Sequence, residues 1–150
     1  MTKYINVSTL AQRKVYCKLV IYTFLGFTCD QGWTTFGKSC YWFSKDSKNW
    51  KSAEFDCVYR GAHLASIHSN EEGAFLKRNY RLFFGLVQRT NGNFEWTDGS
   101  SFKYTNWRSG EPNNAGGEAC SELYQNGEWN DLPCTRVLKY VCKKAMEGEK

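Results

Sequence analysis

The chain has 150 residues, a formal net charge of +5, 17% aromatic residues and seven cysteines. This length suits one domain with a short appendage. The many cysteines favour an oxidising compartment, and the absence of a Cys-x-x-Cys pair argues against a zinc finger or a thioredoxin-like site. Residues 1–28 carry four basic residues and no acid, so the remaining 122 have a net charge of +1. A nucleic-acid-binding domain concentrates positive charge on its folded surface, so we do not expect a nucleic-acid partner.

The N-terminal segment, residues 1–28, is basic and then apolar. Its basic residues precede an apolar run over 19–27, which is the order found in signal peptides. The run is too short to span a bilayer, which takes about 20 residues. A cleaved signal or short leader, a truncated or mis-assigned N-terminus, and an uncleaved anchor are the alternatives. We therefore expect a secreted protein, or one on the extracellular side of a membrane.

The first regular elements are predicted after this segment. Residues 40–43 have the composition of a strand. Residues 49–60 repeat apolar side chains at the helical interval and are followed by Gly61, a typical helix end. A second helix is expected near Ser69, because the spacing from Ser69 to Glu72 is that of a capping box.

The second half of the chain contains short strands and a long loop. The apolar run 82–87 predicts a buried strand, and Asn91-Gly92 is a strong turn signal. Two early helices and several later strands indicate an α+β domain. The remaining predicted elements are a strand at 94–97, a loop at 98–114 and closing strands at 127–130 and 139–142.

Carboxylate and amide side chains are concentrated between residues 111 and 131. Oxygen ligands with few basic residues among them suit a hard cation such as Ca²⁺. Amides can also hydrogen-bond a neutral polar partner. This mixture indicates sugar binding through a metal rather than catalysis. The residues concerned are Glu111, Asn113, Glu118, Asn130 and Asp131.

Several short motifs and cysteines occur in a fixed order along the chain. They are Cys29 and Cys40, Gly-Ala-His-Leu-Ala-Ser-Ile at 61–67, Phe-Phe-Gly-Leu at 83–86, Glu-Pro-Asn at 111–113, Trp-Asn-Asp at 129–131, and Cys120, Cys134 and Cys142. Together they resemble a C-type lectin domain over residues 29–145, leaving a tail at 146–150. The resemblance implies an α+β, C-type lectin-like fold with two helices, short antiparallel strands, a long calcium-binding loop region and three disulfides.

The same resemblance implies the disulfide pairing, which the sequence by itself leaves open. The implied bridges are Cys29–Cys40, Cys57–Cys142 and Cys120–Cys134. Cys17 is left over. It would be removed with a cleaved signal, or could pair between chains if retained.

By resemblance, the five oxygen-bearing residues ligate one calcium ion and also contact the sugar. Pro112 is expected to follow a cis peptide bond. The order Glu-Pro-Asn goes with mannose-type sugars in this family: mannose, N-acetylglucosamine, fucose or glucose. Family members that bind a second calcium use further acids, whereas this chain has Asn114, Ala119 and Arg89 in the corresponding region. We therefore expect one calcium site.

These patterns predict a calcium-dependent lectin for mannose-type glycans on glycoproteins or on microbial or host cell surfaces. A homo-oligomer would supply multivalency. The alternative is a protein-interaction module on the same fold with little or no sugar binding. An enzyme is not expected, because neither His63 nor His68 belongs to a recognisable catalytic set. Trp129 is assigned to packing under the site.

Overall fold

A computed structural model describes residues 26–148 of the chain. The predicted leader up to residue 25, including Cys17, lies outside the described residues. Two helices and eleven strands occur in the described range. In chain order they are β1 (Phe27–Thr28), β2 (Thr34–Phe36), β3 (Ser39–Phe43), β4 (Lys48–Asn49), α1 (Trp50–Tyr59), β5 (His63–Leu64), α2 (Asn70–Leu76), β6 (Leu82–Gln88), β7 (Phe94–Trp96), β8 (Cys120–Leu123), β9 (Trp129–Leu132), β10 (Val137–Ala145) and β11 (Glu147–Gly148).

Nine strands form a mixed sheet, in which the pairs are antiparallel, as predicted, except for one parallel pair that was not predicted. The main path runs β2-β3-β10-β6-β8-β9, and its central pair, β10 and β6, is parallel. Six of the seven residues of β6 are buried, as expected of a strand between neighbours in a covered sheet. Long-range packing of this apolar run decides its direction, and a local sequence pattern does not encode that choice.

A separate two-stranded sheet joins the ends of the described chain. β1 pairs antiparallel with β11, with Phe27 opposite Gly148 and Thr28 opposite Glu147. These strands lie outside the predicted domain range of 29–145, whose bounds remain a prediction.

Both predicted helices are present, each with an N-terminal cap, of which only the one at Ser69 was predicted. The Asn49 side chain accepts from the Ser52 amide at 2.9 Å, and the Ser69 hydroxyl accepts from the Glu72 amide at 3.1 Å. The Glu72 side chain does not return to Ser69, so the reciprocal capping box is incomplete. Its Oε2 accepts from the His68 amide at 2.8 Å instead.

The core lies on both faces of the sheet, and β6 contributes to both sides. Gly85 on β6 is needed because the chain of β5 passes close to it. A Cβ at this position would lie 2.3 Å from the backbone oxygen of Leu64 and 2.8 Å from Thr97 Oγ1. No side chain fits there, so the Gly85 of the family-like motif has a packing reason.

Three disulfides connect the parts of the fold, as the predicted fold class requires. They are Cys29–Cys40, Cys57–Cys142 and Cys120–Cys134. The second joins α1 to β10, and the third joins the start of β8 to the residues after β9. Among the described residues there is no helix long and apolar enough to cross a bilayer.

Candidate metal centre

The loop that contains Glu-Pro-Asn lies against strand β9. Two backbone hydrogen bonds attach the preceding segment to that strand: Trp129 N donates to Asn106 O at 2.8 Å, and Arg108 N donates to Trp129 O at 2.9 Å. The predicted long loop is therefore anchored next to the Trp-Asn-Asp motif. The Glu111–Pro112 peptide bond is cis.

The side chain of Asp131, on strand β9, connects this strand to the loop that contains Glu-Pro-Asn. This side chain is fully buried, and it accepts from the backbone amides of Asn113 at 3.2 Å and Asn114 at 2.6 Å. Hydrogen bonds to a charged group are stronger than those between neutral groups. The loop is thus held on the strand by a carboxylate 17 to 18 residues away in sequence.

Glu111 lies beside this carboxylate. Its Oε2 is buried and has no hydrogen-bond partner among the described residues. Burial raises the pKa of Glu111 above its ordinary value, and contact with the Asp131 carboxylate and the charge of Glu118 raise it further. Two carboxyl groups this close repel each other when both are ionised, so a cation between them would relieve the repulsion.

The structure does not bring the three predicted carboxylates into one metal-binding group within residues 26–148; Glu118 acts on Glu111 through its charge. Asn130 Nδ2 donates to Glu122 Oε1 at 3.1 Å, and its Oδ1 is left to accept. Asn113 is exposed, and its Oδ1 accepts from the Ala115 amide at 2.7 Å. Glu118 and Asn130 line a common depression with a volume of about 330 Å³.

These residues fit a hard cation by their chemistry. The inaccessible, unpartnered oxygen of Glu111 next to Asp131 is a position where a positive charge is favourable. Within residues 26–148, no three His, Cys, Asp or Glu side chains lie close enough together to hold a metal ion by themselves. Amide oxygens of Asn113 and Asn130 would therefore have to contribute, as is normal for calcium.

Glu122 was not among the predicted site residues, although its side chain accepts a hydrogen bond from Asn130, a predicted ligand. Glu122 is 1% exposed, and its Oε1 accepts from Arg81 at 3.0 Å as well as from Asn130. Burial raises the pKa of Glu122, and the nearby Arg81 charge opposes that increase. Glu122 lies opposite Asn130 in the β8–β9 pairing. Residues two apart in a strand lie on the same face, so the spacing from Cys120 to Glu122 was the sequence feature that could have indicated this position.

The aromatic residues near the site are part of the core. Trp129 is 0% exposed, in agreement with its predicted packing role. Tyr104 and Trp107 each approach the Trp129 ring with centroids 5.6 Å apart. Phe102 packs edge-on against Trp96 with centroids 5.9 Å apart. These contacts favour the structural role over a sugar platform.

The two histidines do not form a catalytic relay. His63 Nδ1 is 2.6 Å from Glu54 Oε1. His68 Nε2 is 3.1 Å from the Ser100 hydroxyl, which Asp98 also contacts at 2.5 Å. A serine relay needs the carboxylate on the imidazole, whereas here Asp98 binds the hydroxyl itself.

The fold and this arrangement define the class of protein. Residues 46–144 match the model of the lectin C-type domain. The chain belongs to the C-type lectin domain family, which is a non-enzymatic family.

Particular relatives agree with this assignment. The chain is 36% identical over 144 residues to mouse (Mus musculus) asialoglycoprotein receptor 2, covering 88% of this chain and 48% of that protein. It thus spans about half the length of that relative. Cow CD23, whose carbohydrate-recognition domain was crystallised with a GlcNAc2Man3 oligosaccharide, is 36% identical with a TM-score of 0.75 over 79% of this chain and 97% of that one. A calcium-independent type II antifreeze protein is 32% identical with a TM-score of 0.77, covering 81% and 97%.

Proposed function

We propose that this protein binds mannose-type sugars in a calcium-dependent manner through one calcium site. The observation that carries the proposal is the buried, unpartnered Oε2 of Glu111 beside the Asp131 carboxylate. A pair of carboxylates in this state favours a cation, and the loop around it belongs to a lectin domain.

The residues that would hold the ion are those predicted from the sequence: Glu111, Asn113, Glu118, Asn130 and Asp131. When bound, calcium takes six to eight oxygen ligands and so leaves positions for two neighbouring sugar hydroxyls. The side chains of this chain would then orient the sugar. A carboxylate accepts a hydrogen bond from a hydroxyl, and an amide donates one to the same hydroxyl oxygen.

The order of acid and amide supports mannose-type specificity. Glu111 precedes Asn113, and exchanging the two would exchange acceptor and donor around the hydroxyls, so that a different diol geometry would fit. Cow CD23, which is similar to this chain, was crystallised in the presence of an oligosaccharide of N-acetylglucosamine and mannose. That similarity supports the sugar class.

A single site should bind weakly, since a monosaccharide buries little apolar surface. Clustered glycans on glycoproteins or on microbial or host cell surfaces would raise the apparent affinity, particularly if the chain forms a homo-oligomer. The relative named as an asialoglycoprotein receptor supports a glycoprotein partner and a location outside the cell, either secreted or on the extracellular side of a membrane.

The test is retention on immobilised mannan with calcium, with chelator, and with mannose or galactose as competitor. We expect retention with calcium that chelator and mannose abolish and galactose does not. The double exchange Glu111→Gln with Asn113→Asp should shift competition towards galactose, while Glu95→Gln, an exposed acid outside the loop, should behave as the wild type. Retention that persists in chelator would contradict the proposal.

A second candidate, a protein-interaction module, is favoured by the outer face of α1. Phe55, Val58 and Tyr59 are 73%, 50% and 85% exposed. Lys48 and Lys51 border the same surface, so an apolar segment flanked by carboxylates would complement it. The calcium-independent antifreeze relative supports functions of this fold without the ion.

The outer face of α1 can be tested separately from the sugar site. Phe55→Ser with Tyr59→Ser should abolish capture of an acidic, apolar partner peptide selected on the wild-type chain, in chelator as in calcium. Mannan retention should not change. Peptide capture that both substitutions leave intact would refute this candidate.

A further inference from the structure

A depression of about 330 Å³ continues from the proposed calcium site. Glu118 and Asn130, both predicted ligands, form part of its wall. Two arginines, Arg81 and Arg136, also line it. A saccharide held at the calcium would therefore have its next unit beside two guanidinium groups.

Arg81 is held in place by its contacts. Its NH1 donates to Glu122 Oε1 at 3.0 Å and to the Tyr124 hydroxyl at 3.2 Å. The same Glu122 oxygen accepts from Asn130. One buried carboxylate therefore links the arginine to a predicted ligand, and the orientation of Arg81 is fixed before any ligand binds.

Arg136 is exposed and has no directly paired acid among the described residues. Among residues 26–148, its guanidinium forms no ion pair and no hydrogen bond with another side chain. The charge of Glu122 is already matched by Arg81, and Glu118 is assigned to the calcium. Arg136 therefore interacts with Glu122 only through its charge and has no acid paired with it directly.

We propose that this depression is a subsite for an acidic group, a sulfate or a carboxylate, on the second unit of a saccharide whose first unit binds at the calcium. The inference rests on the proposed function, because the calcium site supplies the anchor. Arginine suits this role, since its planar fork matches the oxygens of either anion. A sulfate and a carboxylate both offer negatively charged oxygens to arginine, and they differ in whether the second sugar unit is a sulfated sugar or a uronate.

The experiment compares three disaccharides built on N-acetylglucosamine, whose second ring is neutral, carries one sulfate or is a uronate. Their affinities for the full chain are measured with calcium, after mannan retention has established that the calcium site works. We expect the better of the two anionic ligands to bind about two- to fivefold more tightly than the neutral one, which is the upper part of the range for an exposed ion pair. The advantage should shrink as salt is raised, because the screening length falls from about 10 Å at 0.1 M to about 3 Å at 1 M.

Arg136→Gln should remove most of this advantage and leave binding of the neutral disaccharide and of mannan unchanged. Arg89→Gln is the matched control: Arg89 is an exposed arginine that pairs with Glu95 outside the depression, and its loss should change nothing. Equal affinity for all three disaccharides, with mannan retention intact, would overturn the subsite and leave the proposed function standing. Failure to retain mannan or any disaccharide in calcium would overturn both.

Discussion

Replacing Glu111 with glutamine should have opposite consequences in the absence and presence of calcium. Without the ion, Glu111 is a half-buried residue whose inaccessible Oε2 has no partner among the described residues and whose neighbour is the Asp131 carboxylate. Glutamine removes one of the two repelling charges, and its amide can donate to Asp131. We expect the variant in chelator to be at least as stable as the wild type.

The direction in which stability changes with pH follows from the pKa of Glu111. Because burial and Asp131 raise it in the folded chain, the ionised form is disfavoured by folding. The wild type without calcium therefore loses stability as pH rises through the ordinary glutamate range and towards the raised pKa. Glu111→Gln should abolish this loss.

The expected shift in Tm is set by the stabilisation that bound calcium provides. A ligand at 100 times its dissociation constant stabilises the folded state by about 2.7 kcal/mol. For a domain near 120 residues, 1 kcal/mol corresponds to roughly 4 °C in Tm. The wild type should therefore gain about 10 °C on saturation with calcium, and Glu111→Gln should gain almost nothing.

The assay is thermal unfolding at pH 7, in chelator and over a calcium series, with Glu95→Gln as a control of equal charge change. Glu95 is exposed and pairs with Arg89 at 2.8 Å, so this variant should keep the full calcium response. A normal calcium gain in Glu111→Gln, or a loss of several degrees in chelator relative to Glu95→Gln, would refute the assignment of Glu111 as a ligand.

Three further predictions concern the frame around the site. Gly85→Ala should destabilise the domain by about 3 kcal/mol or more, measured by urea unfolding. The control is Gly73→Ala in helix α2, where the nearest side-chain atom to a new Cβ is 3.8 Å away, and it should be neutral or slightly stabilising. Similar changes in the free energy of unfolding for the two variants would contradict the close packing at Gly85. Burial acts to raise the pKa of Asp98, but hydrogen bonds from two serines hold it below its ordinary value. The stability of the domain should therefore fall as pH drops below about 4. An equally steep loss of stability in acid for Asp98→Asn would show that Asp98 is not its cause. Replacing Cys120 and Cys134 with alanine opens a 15-residue loop and should cost roughly 3 kcal/mol and weaken calcium binding, whereas removal of the Cys29–Cys40 bridge should leave calcium affinity unchanged in titration calorimetry.

Local sequence patterns were sufficient for both helices and for several strands. The helical interval of the apolar residues places α1 within a residue of its observed bounds, because this repeat depends on neighbouring residues alone. Strand β8 was not predicted, since all four of its residues are buried and it shows no alternation. Buried strands of this kind depend on neighbours from distant parts of the chain.

The sequence by itself determined the family and the donor chemistry between residues 111 and 131, and it contained Gly85 only as part of a motif, whereas the close contact that requires glycine there is seen in the structure. Only the tertiary structure decided the parallel pairing of β6 with β10, the burial of Glu111 against Asp131, and the Arg81–Glu122–Asn130 hydrogen bonds. The reason is that residue type sets what a side chain can bind, whereas burial and contact between residues far apart in sequence are set by how the whole chain packs.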